Sequence, residues 1–91
     1  MARASIDEVW RRIEAHEGET FHTKRGLPLT YAVSGRTLKT SRAEQIIGAS
    51  DFAKALEIVP FDGPGDVTWD VRGPAYIWAI LHDPRIRQDD W

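Results

Sequence analysis

The chain of 91 residues has no cysteine. That excludes a disulfide framework, a thiolate zinc site and a cysteine nucleophile, so packing alone has to hold the fold. It also has no long apolar run. The longest, residues 75–81, is far too short to cross a bilayer. No apolar leader follows Met1. Phosphate-cradling glycine loops followed by Lys and Ser or Thr are missing, and so is a nucleophile elbow. Glu14, Glu17 and Glu19 cluster at a helix end but read as exposed, whereas paired catalytic carboxylates need a sheltered site to separate their pKa values. These absences point away from an enzyme, and no catalytic residue, cofactor or metal is expected. The expected setting is cytoplasmic. Nine arginines against three lysines fit a bacterial, GC-rich genome and carry no function.

Acid is missing locally. Residues 20–42 hold Lys24, Arg25, Arg36, Lys39 and Arg42 without one carboxylate, while residues 51–91 hold eight acids against four bases. The formal net charge of −2 argues against a whole-molecule polyanion binder, so any basic function has to be local.

What is present is an ordinary globular composition, 42% apolar and 29% charged, which argues against disorder. Four tryptophans supply large burial to a small core. The length suits a single domain over residues 1–91, with 1–4 and 87–91 expected to fray.

Ser5 and Glu8 have capping-box spacing, and Ile6, Val9, Trp10 and Ile13 recur at helical intervals. Asp7 with Arg11, and Glu8 with Arg12, are expected ion pairs four residues apart. Gly18 is the expected left-handed stop. A three-stranded antiparallel meander follows: 20–24, then 27–33 with Leu27, Leu29, Tyr31 and Val33 inward, then 36–40 with Leu38 inward. Ser41 and Glu44 suggest a two-turn helix stopped by Gly48, and Phe52, Ala55, Leu56 and Val59 suggest another that Pro60 ends. Val67, Trp69 and Val71 alternate as a short strand. Gly73 and Pro74 open a last helix that is apolar all round. The expected architecture is α+β: an N-terminal helix packed on a three-stranded antiparallel meander, then a short strand and two to three helices.

Three functional readings follow. An interaction module that binds protein, or a second copy of itself as a homodimer, would use the all-apolar last helix and the surplus aromatics; Trp91 could anchor such an interface. A nucleic-acid-binding domain would use Lys24, Arg25, Arg36, Lys39 and Arg42 on the outward face of the meander, beside His22, Thr30, Ala32 and Thr37. The plainer account of that face is solvation, with lysines guarding the sheet edges, and no outward aromatic is in view to stack a base. An anion-binding protein or small enzyme would use the helix start at Arg72, Gly73 and Pro74 with Tyr76 one turn in. The plainer account there is a strand-to-helix turn. His16, His22 and His82 have no zinc spacing, and His16 suits the C-terminal dipole of the first helix. The Gly-rich segment 62–66 lacks the alternating oxygens of a calcium loop.

Overall fold

The computed structural model describes residues 4–67 and 71–91. Helix α1 (Ile6–Ala15) begins where expected, with Ser5 Oγ accepting from the Glu8 amide at 3.2 Å. Val9, Trp10 and Ile13 form its buried stripe. The ion pairs are re-sorted relative to helical spacing. Asp7 leaves its helix to meet Arg36 at 3.0 Å, and Arg11 turns to Glu8 at 3.4 Å. Glu8 and Arg12 pair as expected, at 3.6 Å. Gly18 takes φ +86° and donates its amide to Tyr31 O at 3.1 Å, which ties the end of α1 to the sheet.

The expected meander divides. β1 (Phe21–His22) and β2 (Pro28–Leu29) form a small antiparallel pair with Phe21 opposite Leu29. β3 (Tyr31–Ser34), β4 (Thr37–Thr40) and β5 (Ile46–Gly48) form a three-stranded antiparallel sheet in that order. Its register sets Val33 opposite Leu38 and Leu38 opposite Ile47. The break falls at Thr30, whose amide and carbonyl both turn to Ser41, at 3.0 and 2.9 Å. Pro28 has no amide with which to prolong a ladder.

β5 corrects the expectation of a helix over 41–48. Two turns give too few hydrogen bonds to offset helix nucleation. The β-branched Ile46 and Ile47 instead find the free edge of β4, and Ile47 becomes buried. Glu44 caps nothing and, from the loop after β4, meets Lys39 at 2.8 Å. Leu27 is a second correction. It was expected inside, but it lies on the turn between β1 and β2 and is 47% exposed. Val33, on the edge strand, is only half-buried.

α2 (Ala49–Leu56) starts at Gly48, whose amide donates to the Asp51 carboxylate at 2.9 Å. A 3-10 turn (Pro64–Asp66) leads toward the segment expected as a strand, and Thr68, Trp69 and Asp70 of that segment lie outside the described residues. α3 (Pro74–Leu81) begins as expected and is central: Ile77, Ile80 and Leu81 are fully buried. Gly73 takes φ +56°, and a Cβ there would lie 2.6 Å from Ile47 Cδ1. Glycine at this position lets the α3 start pack onto β5. Asp83 caps the short α4 (Pro84–Arg87) by accepting from the Arg85 amide at 2.9 Å. Trp91 folds back, its indole donating to Leu81 O at 2.8 Å. Among the described residues no helix is long and apolar enough to cross a membrane.

Arg12 clasps the two ends of the described chain. It lies on α1, donates to Ile86 O at 2.9 Å and meets Asp90 at 2.6 Å, with its side chain only 13% exposed. Arg12→Ala should therefore cost about 1.5–3 kcal/mol, the range for hydrogen bonds to a charged group. Urea unfolding measures it. A midpoint unchanged from wild type would mean that the clasp contributes nothing.

Candidate functional site

Four parts of the chain converge on one cleft. The β1–β2 turn brings Thr23, Lys24, Arg25 and Leu27; the segment after β4 brings Arg42; the loop before the 3-10 turn brings Gly63 and Pro64; the first turn of α3 brings Ala75 and Tyr76. The cavity is about 610 Å³. The β1–β2 turn is shaped by its own bonds: Thr23 N to Leu27 O at 2.9 Å, Leu27 N to Thr23 Oγ1 at 3.1 Å, and Gly26 at φ +87° donating to Thr23 O at 2.8 Å. These bonds hold Lys24 and Arg25 at the tip.

Each cation is placed differently. Lys24 Nζ donates to Asp62 O at 2.5 Å and lies over Gly63, where a Cβ would stand 3.2 Å from the ammonium. Arg42 donates through Nε to Pro28 O at 2.6 Å, which leaves its two Nη groups for a ligand. Arg25 has no hydrogen-bond or ion-pair partner among the described residues. Among the described residues no carboxylate lines the cleft, and none lies within ion-pair distance of these three side chains. Other cations differ: Arg11, Arg12, Arg36, Lys39 and Arg85 all meet acids. A concave site lined by charge of one sign focuses the field and draws in counter-ions.

The expected site residues are thus redistributed. Lys24, Arg25 and Arg42 come together, and Tyr76, expected at a different site, joins them. Arg36 and Lys39 do not, being held by Asp7 and Glu44. Lys39's hydrogen bond holds the Glu44 carboxyl below its usual range. At the α3 start, the Arg72 amide donates to Asp51 Oδ1 at 3.3 Å, so the chain's own carboxylate sits at that helix entrance. Arg72 lines a shallower depression with Asp51 and Lys54, and Gly73 is buried against Ile47. Leu27, Pro64 and Ala75 were not anticipated. The acid-free stretch in the sequence marks the cations, but no local signal shows that residue 24 meets residues 62 and 63.

Two other polar clusters are self-contained. Arg85 meets Asp83 and Glu19, donates to Thr20 O and lies 4.0 Å from the centre of the Phe21 ring. His16 joins this cluster through Glu19 at 2.9 Å. Hydrogen bonds, from Arg85 to Asp83 and from His16 and Arg85 to Glu19, hold both carboxyls low. His82 stacks on Trp78, with ring centroids 5.1 Å apart. Its Nε2 accepts from the Phe61 amide at 3.2 Å, which assigns the proton to Nδ1, 3.0 Å from Trp78 O. Among the described residues no group of three His, Asp or Glu side chains could hold a metal ion. Comparison with protein-family models, curated proteins and solved structures finds no match to this chain. Function therefore rests on the geometry of the cleft.

Burial lowers the His82 pKa. The unfolded chain then takes up a proton, from about pH 6.5 downward, before the folded one does. Stability should be fully present above that pH and fall as the pH drops through the folded value. Thermal melts from about pH 7.5 to 5 test this. His82→Phe should be less stable at pH 7.5, because the Phe61 amide loses its acceptor, but should show a shallower decline toward acid. An equally steep decline in the variant would assign the effect to other groups.

Proposed function

We propose that this is a non-catalytic interaction module whose recognition element is the cleft, and that the group it recognises is an anion. One observation carries the reading. Lys24, Arg25 and Arg42 converge in one concavity where, among the described residues, no carboxylate partners them, on a chain whose net charge is −2. The free guanidinium fork of Arg25 and the free Nη pair of Arg42 suit phosphate or carboxylate oxygens. Its setting is placed in the cytoplasm on the strength of the cysteine-free composition.

Self-association is a second form of interaction and has less to support it. The helix that was to supply an apolar face is covered, with Ile77, Ile80 and Leu81 fully buried. Among the described residues the large exposed apolar side chains, Leu27, Ile46 and Ile58, each line a different depression. Nucleic-acid binding along the whole basic segment also weakens, because Arg36 and Lys39 are engaged elsewhere.

Calorimetric titration with inorganic pyrophosphate tests the reading. Binding should weaken steeply as salt is raised. Arg25→Ala should lower affinity about tenfold, as expected for loss of charge-assisted hydrogen bonds. Arg25→Glu combined with Arg42→Glu should abolish it, while Arg36→Ala should leave it unchanged. Equal affinity in wild type and the double variant would sink the proposal.

A further inference from the structure

The cleft lining also includes apolar side chains that an inorganic anion would not use. We infer that its ligand is a nucleotide unit, with the phosphate held by Arg25 and Arg42 and the base laid against Tyr76 and Leu27. This rests on the anion-binding reading above and narrows it.

Leu27 is the most exposed apolar part of that lining. It is a large apolar side chain, 47% exposed, in a turn where a polar residue would be better solvated. Pro64 and Ala75 continue the apolar surface, and Tyr76 adds a half-buried ring whose hydroxyl has no partner among the described residues. The volume, about 610 Å³, is that of a small-ligand site, for which roughly 300–1,000 Å³ is usual. A planar base can use this ring and wall, because each base has a π-face and a sequence-tolerant stacking energy. The cations lie along the same concavity, so one ligand can span both halves. A compact cleft also favours a single unstacked nucleotide over the phosphate ridge of a duplex, whose bases are not offered to a side wall. The aromatic that the outward face of the sheet lacks is thus supplied from α3, by Tyr76.

The same chemistry could come from a free nucleotide or from one unit of a single strand. Calorimetry with ADP, adenosine, pyrophosphate, single-stranded (dA)8 and its duplex with (dT)8 separates these sources. ADP should bind about tenfold more tightly than pyrophosphate, the gain expected from one stacked base. Adenosine alone should bind weakly. Tyr76→Leu should erase the advantage of ADP and leave pyrophosphate affinity as it was. Leu27→Ser, at an exposed position, should reduce the same advantage without a risk to folding, and thermal melts confirm that both variants are folded. A single strand that outcompetes ADP identifies the strand as source; the reverse identifies the free nucleotide; both support the inference. If ADP binds no better than pyrophosphate, or the duplex binds as tightly as the single strand, the nucleotide inference falls and anion binding stands. If no anion binds, both fall.

Discussion

A helix with no polar face has to be covered on every side, and α3 is such a helix. Ile77, Ile80 and Leu81 are fully buried, each contributing roughly 1.5–3 kcal/mol relative to exposure. The covering elements come from the whole chain. β1, the 3-10 turn and α4 pack on α3. Ile47 of β5 closes on its first residue, at a position where only glycine leaves room. Trp91 closes its far end through Leu81 O. α1 and α2 join the same core through Trp10 and Phe52, whose rings meet edge to face at 5.7 Å. Because α3 is held this firmly, its half-buried first turn is a fixed part of the cleft lining, and Tyr76 stands on that turn.

Charge does two separate jobs. Arg12 and Arg85 are partly sheltered and join segments distant in sequence, through carbonyl oxygens as well as carboxylates. The exposed pairs Arg36–Asp7 and Lys39–Glu44 link α1 to the sheet and one strand to the next loop, and pairs of this kind contribute little to stability. Lys24, Arg25 and Arg42 differ in that no acid among the described residues pairs with them. Their positive charge is left unneutralised inside a concavity, an arrangement that solvation of a surface does not require.

Short-range sequence pattern is a faithful guide where local energies decide. The Ser5 cap, the stripe of Val9, Trp10 and Ile13, the Gly18 stop and the Gly73–Pro74 helix start all follow from backbone geometry and periodicity within a few residues. It failed over 41–48, where capping-box spacing suggested a helix and an available strand edge decided otherwise. It failed again at Leu27, because period-two alternation assumes a continuous strand and Thr30 turns instead to Ser41. For the candidate site, the acid-free stretch revealed the cations, but not which of them would acquire carboxylate partners.

The amino-acid sequence by itself determined the α+β class, the starts of α1 and α3, the dependence on packing without disulfides, and the sorting of basic and acidic residues along the chain. These are matters of composition and short-range periodicity. Tertiary structure alone decided that Ile46–Gly48 is a strand, that Arg36 and Lys39 are neutralised while Arg25 is not, and that Tyr76 stands beside three cations. Several of those outcomes depend on contacts between residues far apart in the chain, as when Arg36 meets Asp7 and Lys24 reaches Asp62 O. Such contacts follow from how β1 and the 3-10 turn pack on α3, which no short-range pattern encodes.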